Sequence, residues 1–333
     1  MKTLLTQLAD LFADEFKAEG LLSAAKRVLG GAQALRFARA HRELLAQPVF
    51  SQHVATHDNE DPLFYLSHRH YLSNRLSYLQ RIQCANTHYA YEGSRHDEPY
   101  IRAVCRTGGL SLWSSASGGK DYAIRLCRTT KPSNEGGNSI VLEADGVCLS
   151  EMSFIWLAGS VIGCEGDILP FITRNQSVHP QSDHLRRFRA DFPQNSPSYF
   201  CLAAMHGITQ AHGKPHVAGI RHDCQIAYEP CRSQSFRNSY TEFWKAFGGA
   251  EIGGHAYLMP VPWVTAPIQD IRPKHRSRAL NRRGHWSSIA RSAADATTAR
   301  LGGVMRGQSW AAGVSASVFI AHLPLLMTLP PPM

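Results

Sequence analysis

Near residue 100 the texture of this chain changes. From there to about residue 162 the chain breaks into short runs rich in β-branched and aromatic residues, separated by Gly, Ser and Asn. Ala103–Cys105, Leu110–Trp113, Tyr122–Leu126, Ile140–Glu143 and Cys148–Trp156 read as strands. The spacers Ser117-Gly118-Gly119, Asn134-Glu135-Gly136-Gly137 and Asp145-Gly146 are turn chemistry. Asp145-Gly146 lies between two apolar runs and predicts a hairpin. A largely antiparallel sheet of four or five strands follows.

Before residue 90 the pattern is helical. Leu4, Leu5, Leu8, Leu11 and Phe12 form an apolar stripe, with Asp10, Asp14, Glu15 and Lys17 on the wet side. Gly30-Gly31 predicts a break, followed by a second helix over Ala32–Leu45. Arg36, Arg39 and Arg42 share one face of it, either a solvated face or a surface for an acidic partner. A third helix is expected from Pro62 to Thr87, carrying Arg69, Arg75 and Arg81. Beyond 163, Pro170, Pro180, Pro193 and Pro197 interrupt any long element. A helix over Tyr199–Gln210 and a strand over His216–Ile220 are expected, then a short aromatic helix closed by Gly248-Gly249. The fold class is α+β: an N-terminal helical region followed by a mixed, largely antiparallel sheet with packed helices. The boundaries are residues 1–92 for the helical region, 93–295 for the α+β core and 296–333 for an apolar and basic extension.

With 333 residues, 44% of them apolar, the chain can bury a sizeable core. Its formal charge of +9 favours anionic partners. The eight cysteines never fall at Cys-x-x-Cys spacing, so zinc ribbons and thioredoxin-like motifs are unsupported. Acidic Asp10 arrives too early for a signal peptide, and cysteines in a chain that is not exported are expected as cytosolic thiols. The expected localisation is therefore cytoplasmic. Residues 310–329 carry no formal charge and approach the ~20 residues of a membrane span. Pro324, His322 and two serines argue for a docked or poorly ordered extension instead.

Two blocks carry a family resemblance: His70–Tyr91 (HYLSNRLSYLQRIQCANTHYAY) and Ser239–Gly249 (SYTEFWKAFGG). Together they resemble the VirK/YbjX family of bacterial proteins, over roughly residues 60 to 290. The resemblance implies a cytoplasmic bacterial protein of virulence or envelope-stress tolerance. It departs from the family pattern at Val178–Arg187, where a Gly-x-x-Pro-Lys element would stand, and at Arg221–Gln225, where an Asn-x-x-His pattern would stand.

For chemistry, Ser153–Gly166 reads as a strand running into a glycine turn. If a helix follows, Gly163, Glu165 and Gly166 form a phosphate cradle. That order resembles the acyl-CoA pyrophosphate site of GNAT-type N-acyltransferases. A plain tight turn is the alternative. His88, just before Tyr89, is a candidate general base or a helix cap, and in the family resemblance this His-Tyr pair recurs. Tyr240 is the second candidate for moving the proton of an amine acceptor. His206, His212, His216 and His222 cluster in sequence, but Gly213 and Pro215 spoil the spacing for a helical metal site, and no metal is expected. Arg272, Lys274, Arg276 and Arg278 open a basic run with no acid between Asp270 and Asp295, and Trp263 and Trp286 offer stacking surfaces nearby. No HExxH, Walker or GxGxxG pattern occurs.

Two functions follow. One is a GNAT-like N-acyltransferase using acyl-CoA. The other is a binding or regulatory protein that holds RNA or another anionic partner through the basic segment. Membrane contact through the tail stays open beside them.

Overall fold

The computed structural model describes residues 4–54, 71–129, 135–177, 182–263, 265 and 267–302. The apolar stretch 310–329 lies outside them. Helices α1 (Leu4–Glu19) and α2 (Leu21–Arg36) are separated at Gly20, whose φ of 84° ends the first. The break expected at Gly30-Gly31 is absent, and α2 runs through both glycines. Helix α3 (Ala38–Ala46) buries Leu44 and Leu45. The helix expected over 62–87 begins later, at Tyr78, and its first part falls outside the described residues. Ser77 sets this start: its hydroxyl accepts from the Gln80 backbone N–H, and Gln80 Oε1 accepts from the Ser77 N–H at 2.9 Å. That reciprocal cap opens α4 (Tyr78–Arg95). The strand expected at 103–105 is instead the end of α5 (Glu98–Cys105). Asp97 accepts from the Tyr100 N–H at 2.8 Å and Pro99 sits in the first turn, so local capping outweighs the β-branched run.

Five strands then run antiparallel in chain order: β1 (Leu110–Ser117), β2 (Lys120–Arg128), β3 (Asn138–Ala144), β4 (Val147–Ala158) and β5 (Ile168–Ser177). Asp145 and Gly146, at φ 49° and 78°, make the β3–β4 hairpin as expected. Helices α6 (Asp183–Asp191) and α7 (Pro197–Ala211) follow β5 and lead to β6 (His216–Ile220). A broken helical stretch comes next: α8 (Ser233–Arg237), a π turn (Asn238–Glu242) and α9 (Phe243–Lys245). Strands β7 (Ala250–Ile252) and β8 (Ala256–Pro260) complete an eight-stranded sheet in the order β1-β2-β3-β4-β5-β6-β8-β7. The long helix α10 (Pro273–Thr298) lies on α7, and α4 packs on β4. Gly207 makes the α7–α10 contact: a Cβ there would come within 2.1 Å of the Ala290 carbonyl oxygen. The fold is α+β, with more strands than the sequence pattern announced.

Candidate functional site

The sheet changes character once. β5 and β6 are its single parallel pair, in register only at Phe171–Ala218 and Ile172–Gly219. β6 ends at Ile220 while β5 runs on to Ser177. Among the described residues no strand pairs with Thr173–Ser177 on that side. Ligands of open sheets gather at such a switch point, beyond the carboxyl ends of the strands.

The aromatic helix block supplies one wall. Asn175 N–H donates to Tyr240 Oη at 3.4 Å, and the Asn175 amide nitrogen donates to the Ser239 carbonyl at 2.9 Å. Trp244 Nε1 donates to the Ile220 carbonyl at 2.8 Å and so caps β6. The Asn175 side-chain oxygen is buried there without a hydrogen-bond partner. An unmet buried acceptor costs about 1–3 kcal/mol, which a donor reaching this oxygen would recover.

Two carboxylates lie beside this part of β5. Glu135 is buried, and its carboxylate accepts from Gln225 Nε2 and lies 3.4 Å from Arg174 Nε. Thr173 Oγ1 donates to the Glu135 carbonyl. Arg174 also reaches Glu151 at 3.0 Å, so two carboxylates share one guanidinium. Ser73 and Asn74 donate to the Cys224 and Asp223 carbonyls and tie the segment before α4 to the end of β6. Sequence reasoning missed Glu135, Gln225 and Asn175, which are far apart in the chain and carry no motif.

Of the sequence-derived site residues, Tyr240 alone stands at this edge. Burial lifts its phenol well above the ordinary tyrosine range, so it is a neutral O–H. His88 is 1% exposed, against the backbone of β3 and β4. Its Nδ1 accepts from the Trp156 N–H at 3.4 Å, and its ring covers Gly137 so closely that a Cβ there would approach Nε2 to 2.1 Å. Burial and the His96 charge lower its pKa to about 3, which leaves a neutral imidazole.

Gly163, Glu165 and Gly166 lie before the amino end of β5. The helix expected after them is absent: a short 3-10 turn (Gly159–Ile162) leads through Gly163 into β5 itself. Glycine is needed at 163 for a φ of 76° and because its backbone abuts Gly253. Ile168 and Asn175 are about 23 Å apart along an extended strand, so the glycine turn and Tyr240 belong to different ends of β5. Arg272, Lys274 and Arg278 are exposed at the start of α10, whereas Arg276 donates to the Ile271 and Gln269 carbonyls at 2.9 and 2.8 Å.

A second buried polar group surrounds Glu92 on α4. Its carboxylate accepts from Trp156 Nε1 at 2.8 Å and from the Asn138 amide at 3.1 Å, with His96 Nδ1 3.5 Å away. Burial raises its pKa to about 7, against the pull of hydrogen bonds from Tyr100, Trp156 and Asn138. His88, Glu92 and His96 fall one helical turn apart in sequence, which is the signal that could have exposed this group. The clustered histidines separate: His206 stacks on Trp263, His212 meets Tyr91 at 3.0 Å and His222 meets Thr241 at 2.9 Å. Among the described residues no three metal-binding side chains converge. Nor is any described helix long and apolar enough to cross a membrane.

The model of the family of unknown function DUF535, which is the VirK/YbjX family, matches residues 32–164 and 195–292. That is more than half of the chain. The protein belongs to the DUF535 family. The match pauses over 165–194, the stretch that holds β5, α6 and the departure noted at Val178–Arg187. The blocks His70–Tyr91 and Ser239–Gly249 both fall inside the matched residues: the first ends in α4, and the second supplies Tyr240 and Trp244. Neither the curated proteins nor the solved structures offer a match.

Proposed function

We propose that this DUF535 protein is a GNAT-like N-acyltransferase whose acyl-CoA lies against the carboxyl half of β5, where no described strand pairs with it on the β6 side. The observation that carries the reading is the unmet, buried Asn175 side-chain oxygen on a strand edge that no described strand covers. The arm of CoA contains two amides, and an amide-bearing chain can add to a strand edge as a short strand does. An amide N–H would satisfy Asn175 Oδ1. Acyl-CoA would supply a thioester as acyl donor.

The surrounding side chains divide the remaining work. Glu135 and Glu151 outweigh the single charge of Arg174 between them, and the net negative charge suits a cationic amine acceptor. Glu135 is positioned to hold the ammonium group and take its proton. Tyr240 Oη, neutral through burial, is positioned to give a proton to the departing sulfur and to regain one from the acylated nitrogen, so that CoA leaves as the thiol. A role in virulence or envelope-stress tolerance belongs to the same proposal, by analogy within the family.

The deciding experiment is thermal unfolding with and without millimolar acetyl-CoA, followed by release of free CoA thiol in the presence of polyamines or lysine peptides. A ligand at about 100 times its Kd adds about 2.7 kcal/mol to stability. A raised melting temperature and amine-dependent thiol release are expected. Absence of both would reject the reading.

The exposed Arg272, Lys274 and Arg278 favour a second reading, capture of RNA or another polyanion at the start of α10. Three phosphate contacts predict a slope near −2 in log affinity against log salt for a single strand, at about 0.7 per contact. A salt-independent affinity would reject it.

A further inference from the structure

A cavity of about 370 Å³ opens between α7, α10 and the segment after β8, away from the features assigned to acyl transfer. It lies in the usual size range of small-molecule pockets, about 300–1,000 Å³. Three rings line it. His206 stacks on Trp263 with centroids 4.8 Å apart and planes inclined by 25°. Trp286 meets Trp263 edge-on at 5.8 Å. The packing of α10 on α7 brings Trp286 to His206, and the segment after β8 adds Trp263 to the same wall.

Polar chemistry completes the lining. Arg283 and Arg291 from α10 and Gln210 from α7 border the space. No carboxylate lines it among the described residues. His206 Nε2 and Trp263 Nε1 are both buried without a hydrogen-bond partner. Two unmet ring nitrogens in one small cavity are unusual, since buried polar atoms are satisfied as a rule. They call for a ligand with its own ring heteroatoms or hydroxyls. Burial lowers the His206 pKa to about 4, so the imidazole is a neutral stacking ring near pH 7 and the guanidinium groups carry the charge.

We infer that this cavity is a binding site for a nucleoside monophosphate, with the base against Trp263 and His206 and the phosphate on Arg291 and Arg283. Flat π-faces stack with any base and are tolerant of its identity. Guanidinium forks match the geometry of phosphate. A volume of about 370 Å³ suits one nucleotide rather than a strand, which would need an extended groove. The inference stands apart from acyl transfer, because neither Tyr240 nor the β5 edge contributes to it.

The test is calorimetric titration of the full chain with AMP, adenosine and ribose 5-phosphate. Saturable binding of AMP is expected, at least about tenfold tighter than either fragment, with stacking and phosphate each contributing. Arg291→Gln, at an exposed position, should weaken AMP about tenfold and leave adenosine unchanged. Trp263→Leu should weaken both AMP and adenosine. No saturation by AMP up to millimolar concentration overturns the inference. So does AMP binding indifferent to Arg291→Gln. A short single-stranded RNA that binds more than about tenfold tighter than AMP, and loses that advantage in Arg291→Gln, also overturns it in favour of a strand. AMP is also the nucleotide end of CoA, so the variants tell the two sites apart: Arg291→Gln should weaken AMP and leave amine-dependent thiol release from acetyl-CoA unchanged.

Discussion

Trp156 Nε1 and Glu92 Oε1 are joined by a 2.8 Å hydrogen bond in the interior, where the basic group beside the carboxyl is His96 at 3.5 Å. Burial holds the Glu92 pKa at about 7 and those of His88, His96 and His212 at about 3, 4 and 3. The two kinds of group act in opposite senses. A raised carboxyl pKa gives stability that is full below the unfolded value near 4.5 and is lost as pH rises through about 7. The lowered histidines give stability that is present above their unfolded value near 6.5 and is lost as pH falls below it. Thermal melts should therefore show stability rising from about pH 4.5 to 6.5 on the histidines, more shallowly than those three would give alone. Glu92 opposes the rise by about 1.4 kcal/mol per pH unit across the same window. Glu92→Gln removes that opposition and should steepen the rise. An unchanged profile in the variant would show that Glu92 ionises freely in the native protein.

Gly207→Ala should separate α7 from α10, because the new methyl meets the Ala290 carbonyl at 2.1 Å. Overpacking of this kind costs about 1–3 kcal/mol. Urea denaturation is the measurement, and a midpoint equal to the parent's would mean the helices slide apart freely.

Ser77→Ala removes one half of the cap that starts α4. The expected loss is about 1 kcal/mol. Ser77→Asn should recover most of it, since Asn also caps, and failure of that rescue would point to a contact other than the cap.

Tyr240→Phe keeps the ring stacked with Phe236 at 6.1 Å and removes only the hydroxyl that accepts from Asn175 N–H. Folding should survive with a loss of about 1 kcal/mol. Thiol release from acetyl-CoA should fall about 100-fold or more while acetyl-CoA binding changes little, the pattern of a lost proton donor. Equal loss of binding and turnover would make Tyr240 a wall of the crevice and nothing more.

Much of the fold was legible. The Asp145-Gly146 hairpin, the α7 helix and strand β6 stand close to where pattern placed them. Strand β5 was not legible, because Pro170 and a polar second half, Thr173–Ser177, hide a strand whose partners come from both sides of the sequence. The site was less legible than the fold. Tyr240 was found through an aromatic block that signals packing. Glu135, Asn175 and Gln225 acquire meaning only when the sheet brings residues 90 positions apart into contact. The helix that a phosphate cradle would need does not follow Gly163–Gly166, because the same glycine turn serves two strands as well as it would serve a strand and a helix.

The two-pair junction between β5 and β6 also governs how this chain assembles. Strands β1 to β5 join neighbours in sequence and can close early, since short loops cost little entropy. The half from β6 onward must find β5 across the whole α6–α7 excursion and then hold it through Phe171–Ala218 and Ile172–Gly219. The seam in the sheet is narrow, and the helices reinforce it: α10 crosses back to β1, where Ser292 Oγ donates to the Leu112 carbonyl at 2.7 Å, so a late-docking half becomes clamped onto an early-folding meander.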